Sequence, residues 1–168
     1  MFDHILVTTD GSALGNLALP VAGDLARKYD SALALLYVVP PIVMPMGDVA
    51  YTYDDPAQHA GLLEEADQIL ADALKKLDDP DTQVIRLERT DLKTEQAILV
   101  KVEGLHTDLV VMGTHGRSGP AHLFLGSVAE AVLKKIRVPL LLIQAPDRTS
   151  RHPASDHEAR QSAPLGAL

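Results

Sequence analysis

The stretch MGTHGRSGPAHLFLGS, residues 112–127, holds the most suggestive chemistry in the chain. Gly113 and Gly116 stand two residues apart, nine residues follow, and Gly126 and Ser127 then open a helical pattern. A residue without Cβ tolerates positive φ and lets an oxygen approach the backbone within hydrogen-bond range. A helix start adds N–H groups without intrahelical partners and the positive end of a dipole, so phosphate is the natural guest. Arg117 and His115 could add positive charge there. A second candidate is TTDGS, residues 8–12, in which Asp10 is either an Asx turn or cap, or a carboxylate for ribose hydroxyls. On spacing alone the glycine segment is either a phosphate cradle or a structural loop. Ser127 with Glu130 three residues later also reads as a capping box.

Other chemistries lack their residues. No GxxxxGK[ST] occurs, so the segment is not a P-loop. The seven histidines form no HExxH pair or other recognised ligand spacing, and no metal site is predicted. There is no Gly-x-Ser-x-Gly elbow, and neither Ser118 nor Ser127 has an identifiable catalytic partner. The acidic pairs Glu64/Glu65 and Asp78/Asp79 read as solvated helix ends. No catalytic residue is assigned.

Both motifs must be positioned by the elements that precede them. Phe2 to Thr8 is a short apolar run rich in branched residues, read as a buried strand leading into TTDGS. Leu14, Leu17, Ala18, Val21 and Leu25 recur at helical spacing, with a kink predicted near Pro20. Ala32 to Val39 is a second strand, apolar on both faces as covered parallel strands are. Pro40 to Asp55 is read as a long loop. Asp55 and Pro56 have the chemistry of a helix cap and first turn, and Leu62, Ala66, Ile69, Leu70, Ala73 and Leu77 continue the stripe. Gln83 to Glu88 reads as a strand at or near a sheet edge, Thr94 to Leu105 as a helix, and LVVM after Asp108 as a fully apolar strand. Ser127 to Ile136 is helical, and Pro139 to Ile143 is the last strand. Such alternation indicates an α/β sandwich with a parallel sheet and right-handed crossovers. From Pro146 onward apolar period is lost, and residues 146–168 are predicted to be a disordered tail behind one domain, residues 1–145.

Composition bounds the partners. The 168 residues suit a single core, and with 46% hydrophobic and 23% charged residues they read as a soluble globular chain. A net charge of −8 argues against sequence-independent binding to nucleic acid or anionic membrane, so an anionic ligand must be held locally. The start carries Asp3 and lacks the basic head and apolar core of a secretory signal, predicting that nothing is cleaved there. Together with the absence of cysteine and of any apolar run near the ~20 residues of a membrane helix, this predicts a cytoplasmic location.

DLVVMGTHGRSG, then LGSVAEAVL, then VPLLLI closely resembles the signature of universal stress proteins, in the branch whose GxxG, nine residues, GS pattern binds ATP. ILVTTDGS and LALLYVV match the same family, so the resemblance spans about residues 2–145. It implies a Rossmann-like fold of the adenine nucleotide hydrolase-like type: an open five-stranded parallel sheet in the order 3-2-1-4-5 with helices on both faces. It also implies that Thr8, Thr9 and Asp10 border adenosine, with Asp10 towards ribose, and that the Val38 backbone meets adenine. Gly113, His115 and Gly116 line ribose and phosphates, Met112 and Arg117 are counted among the nucleotide-binding residues, and Gly126, Ser127, Val128 and Ala129 hold the phosphates. Ala129 departs from the threonine or serine of some relatives, which removes one hydroxyl contact. Arg89 to Asp91 replaces a glycine turn common after the third strand. The function implied is an ATP-binding, homodimeric regulatory or stress-protection module paired through Leu140 to Ile143. ADP or AMP are alternatives to ATP, and Mg or Mn could accompany the nucleotide. The rival readings are a slow metal-dependent ATP hydrolase and a dimeric scaffold that binds no nucleotide.

Overall fold

Runs of branched and aliphatic residues alternate with stripes at helical period along most of the chain, and each run becomes a strand. In the computed structural model, residues 2–46, 49–52, 55–88, 92–116 and 125–145 are described. The strands are β1 (His4–Thr8), β2 (Ala32–Val38), β3 (Val43–Met46), β4 (Val49–Thr52), β5 (Gln83–Leu87), β6 (Leu109–Gly113) and β7 (Leu140–Ile143). The helices are α1 (Ala18–Tyr29), α2 (Pro56–Leu77), α3 (Thr94–Gly104) and α4 (Ser127–Leu133). Five strands form one sheet in the order β5-β2-β1-β6-β7, with parallel pairing at every junction. In chain order these are the third, second, first, fourth and fifth strands of the sheet, as expected. The edge position of β5 also agrees with its one wet face.

The sheet is covered on both sides because its strands are apolar on both sides. Ile5, Val7, Leu33, Leu35 and Val111 face α1 and α2, where Leu19, Ala22, Leu70 and Leu77 are fully or almost fully buried. Leu6, Leu36, Val110 and Met112 face α3 and α4, packing on Ile98, Val102, Ala129 and Val132. Helix α1 is fastened to the end of α2: a side chain on Gly23 would collide with the Leu77 carbonyl oxygen, and Arg27 Nη1 donates to the carbonyls of Leu77 (3.2 Å) and Asp78 (3.0 Å). At the opposite end Asp55 caps α2 as its sequence predicts, accepting from the N–H groups of Ala57 (2.9 Å) and Gln58 (3.4 Å), with Pro56 in the first turn.

Two local expectations change. Pro20 makes no kink inside a helix, because Gly15–Leu17 form a 3₁₀ turn and the α-helix begins at Ala18. That places Pro20 in the first turn, where its missing N–H costs no hydrogen bond. The segment after Pro40 holds an antiparallel hairpin, β3 with β4, rather than an unstructured loop. Among the described residues no helix is long and apolar enough to cross a membrane. The tail from Pro146 and the turn Arg89 to Asp91 lie outside the described residues.

Candidate functional site

Strand β1 ends where the last rung to β2 is made, the N–H of Thr9 donating to the Leu36 carbonyl at 3.1 Å. The loop that follows is fixed by its own short polar side chains. Thr9 Oγ1 donates to Asn16 Oδ1 (2.6 Å) and accepts from the N–H of Gly11 (3.0 Å), while Asn16 Nδ2 donates to the Gly11 carbonyl (3.3 Å). Gly11 sits at φ 79°, a left-handed conformation that a side chain would strain. Asp10 accepts at one oxygen, Oδ1, from both the N–H (3.0 Å) and the hydroxyl (2.7 Å) of Ser12. The Asx-turn reading of Asp10 therefore holds locally.

Strand β6 ends beside this loop. A side chain on Gly113 would lie 2.9 Å from both the Gly15 Cα and the Leu14 carbonyl oxygen, and one on Gly116 would collide with Asp10 Oδ2. Thr114 continues the ladder to β7, its N–H donating to the Ile143 carbonyl at 2.9 Å, and its hydroxyl lies 3.0 Å from His115 Nδ1. Both side chains are buried. The chain returns at Gly126, whose N–H donates to the Thr114 carbonyl at 2.7 Å. Gly126 is the N-cap of α4, and no side-chain hydrogen bond caps this helix. The capping box expected for Ser127 and Glu130 is thus absent, and Glu130 pairs with Lys134 (2.5 Å) instead.

These ends enclose a cleft of about 380 Å³, within the range of ordinary small-molecule sites. It lies beyond the carboxyl ends of β1, β2 and β6. From β1 the sheet grows to β2 and β5 on one side and to β6 and β7 on the other, so the cleft sits at the point where the winding reverses. Its lining is aliphatic where β2 and α3 contribute, with Leu36, Val38, Pro40 and Ile98, and mixed where β1, β6 and α4 contribute, with Thr8, Thr9, Asp10, Met112, Val128 and the backbone around Gly113 and Gly126. In the aliphatic part β2 presents backbone. Leu36 bonds towards β1, and the N–H of Val39 donates to the Leu87 carbonyl (2.9 Å) on the β5 side. By alternation Val38 directs its N–H and carbonyl towards the β1 side, past the place where β1 has turned away. Among the described lining residues Asp10 is the one carboxylate, and there is no lysine or arginine. No group of three or more potential metal ligands occurs among the described residues.

Residues 1–144 match the profile of the universal stress protein family. The chain belongs to that family. A universal stress protein of Methanocaldococcus jannaschii is 29% identical over 88% of this chain and 85% of its own length. Two solved universal stress proteins share the fold. One is in complex with cAMP, with a TM-score of 0.61 and 20% identity over 85% of this chain and 97% of its own. The other, from Archaeoglobus fulgidus in complex with dAMP, has a TM-score of 0.60 and 18% identity over 86% and 98%.

This universal stress protein gathers its sequence-predicted positions closely. Thr8, Thr9 and Asp10 line the cleft from β1 and its loop, Val38 from β2, and Met112, Gly113, His115 and Gly116 from β6 and its extension. Gly126, Ser127, Val128 and Ala129 complete it from the start of α4. Arg117 lies outside the described residues. Ala129 is buried against Ile98 and Val132, so only its backbone is offered. Sequence reasoning missed Gly15, Leu36, Tyr37, Pro40, Thr94, Ile98, Thr114 and Leu125. Thr94 and Ile98 carry no local motif; they enter because α3 follows β5 and starts at the same end of the sheet. Pro40 was legible only as the end of a strand. Gly15 carried a signal, a glycine inside a helical stripe, which reads as a close approach rather than a helix residue.

Proposed function

We propose that the cleft binds an adenine nucleotide, ATP in first place with ADP and AMP as alternatives, and that occupancy regulates a homodimeric, cytoplasmic stress-protection module. The observation that carries this reading is the make-up of the cleft lining. Where β2 and α3 line it, the β1-side backbone of Val38 has no partner among the described residues, which suits the hydrogen-bonding edge of adenine between aliphatic walls. Where β1, β6 and α4 line it, the proposal assigns Asp10 to ribose and the backbone of Gly113 to Gly116 and of Gly126 to Ala129 to phosphate. The N–H groups of Ser127, Val128 and Ala129 belong to a first helical turn and have no intrahelical acceptor. Relatives of this fold with cAMP and dAMP bound support the adenosine monophosphate core of the reading.

The electrostatics say what a triphosphate needs. With Asp10 in the wall and a net charge of −8, backbone amides hold one phosphate well, while the outer phosphates need a cation. Arg117 and a divalent ion, Mg or Mn, fill that role in this proposal. No side chain is assigned as a base for an attacking water, so any ATP hydrolysis is slow and assisted by the metal.

The test uses the purified chain. It contains no tryptophan and four tyrosines, so bound adenine raises absorbance at 260 nm relative to 280 nm conspicuously. Heat release and chromatography then identify the nucleotide, and equilibrium dialysis ranks ATP, ADP and AMP with and without magnesium. Protein that is free of nucleotide as purified, and that takes up none in dialysis, is a scaffold and overturns the reading.

A further inference from the structure

The nucleotide cleft lies at the carboxyl ends of the strands, and a second hollow, a groove of about 520 Å³, lies at their amino ends beside the ends of α3 and α4. Thr107 and Val138, each two residues before its strand, mark that position, and no residue lines both hollows. The floor of the groove is aliphatic. Leu99 and Val102 come from α3, with Val102 almost fully buried, and Ile136 and Val138 come from the link between α4 and β7. The rim is charged in the opposite sense to the molecule. Lys135, Arg137 and His106 stand there with a single carboxylate, Glu103, all four exposed, in a chain of 23 aspartates and glutamates against 15 lysines and arginines. None of the three bases has a side-chain hydrogen bond or ion pair among the described residues, whereas the neighbouring Lys134 pairs with Glu130 at 2.5 Å. Val100, 55% exposed, adds a bare aliphatic side chain one turn before Glu103.

We propose that this groove docks a short acidic segment of a partner protein, one that carries an aliphatic side chain to fill the floor. Exposed carbon surface rimmed by polar groups marks a contact face rather than a merely solvated one. Complementary charge then selects the partner and speeds its encounter. The bases are spread over two elements, His106 behind α3 and Lys135 and Arg137 behind α4, so they match a string of carboxylates rather than one anionic head group. A long polyanion fits worse, because beyond the groove it meets the field of a chain with a net charge of −8. Complementing a helix dipole explains a basic residue at a helix end, as with Lys75 and Lys76 in the last turn of α2. It does not explain three bases around an aliphatic floor. Sharing no lining residue with the nucleotide cleft, the groove stands independently of the nucleotide reading.

A library of random peptides displayed on phage is selected on the immobilised full chain, and the enriched peptides are synthesised and measured by fluorescence anisotropy. The expected peptides combine aspartate and glutamate with leucine, isoleucine or valine, and their binding weakens as salt is raised to about 0.5 M. Lys135→Glu and Arg137→Glu each weaken binding a few-fold, the scale of one exposed ion pair, and together by roughly tenfold. Lys76→Glu makes the same change of charge at the end of α2, outside the groove, and leaves binding within about twofold because salt screens it. Circular dichroism melting verifies that each variant is folded. Selection that enriches no acidic residues overturns the proposal. So does acidic-peptide binding that Lys76→Glu weakens as much as Lys135→Glu does, since the field of the whole chain is then responsible. A double variant whose only effect is a lower melting temperature assigns the bases to the helix dipoles alone, and one that instead changes the oligomeric state in light scattering makes a second copy the occupant; either result also overturns it.

Discussion

A methyl group added at Gly113 would meet the backbone of Leu14 and Gly15 at 2.9 Å, and neither neighbour can swing aside as a side chain could. Gly113, Gly116 and Gly126 are thus required first by the protein itself. Gly116 makes room for Asp10, and at Gly126 a Cβ would stand 3.0 Å from the Thr114 carbonyl oxygen. The oxygens that approach this bare backbone are the molecule's own, and the proposed nucleotide would use an approach already cleared. Gly113→Ala should therefore act on two observables together. Urea unfolding should show a loss of about 1–3 kcal/mol from overpacking, and dialysis should show weakened ATP binding, since the loops from β1 and β6 are pushed apart. A variant that loses affinity at unchanged stability would contradict this steric account.

Among the elements, α2 is held at both ends by interactions visible in the residues that form them. Asp55 caps its start, and Arg27 with Gly23 receives its last carbonyls. Asp55→Ala should cost about 1 kcal/mol and lower the melting temperature by roughly 2–4 °C for a domain of this size. Calorimetry checks this, and nucleotide affinity should be unaffected because the cap lies away from the cleft lining. The edge strand β5 is guarded differently. Arg86 reaches across to Asp67 on α2 and bonds Glu88 at 2.6 Å. The hydrogen bonds it donates to Glu88, then to Asp67, raise the pKa of its guanidinium above the ordinary value, so it stays cationic at any working pH. A charged, cross-braced edge resists adding a further strand.

Among the described residues the other edge has no such guard. In β7, Leu140 to Ile143 are all partly exposed, and the bonds to β6 run through the carbonyls of Pro139 and Ile143. The backbone of Leu140 and Leu142 therefore points outward from the sheet, the side on which the proposed dimer would pair. Leu142→Pro removes one outward N–H and spares the rungs to β6. Light scattering should find it monomeric where the native chain is dimeric, with a cooperative unfolding transition retained. A native chain that is itself monomeric at micromolar concentration would remove the dimer from the proposed function.

The sequence by itself determined most of the parts, though not the hairpin of β3 and β4: the five strands of the sheet, the helical stripes, the Asp55 cap, and, through an ordered set of motifs, the family and the strand order. These are encoded locally, in side-chain period and turn chemistry, or in motif order along the chain. Only the tertiary structure decided how the parts meet. Pro20 became a helix start because the preceding residues chose a 3₁₀ turn, and Ser127 lost its capping box because Gly126 was drawn to the Thr114 carbonyl. The roles of Gly15, Thr94 and Ile98 likewise depend on β1, β5 and β6 finishing at the same end of one sheet. Such a site is a property of through-space neighbours far apart in the chain, and no local pattern of residues carries that information.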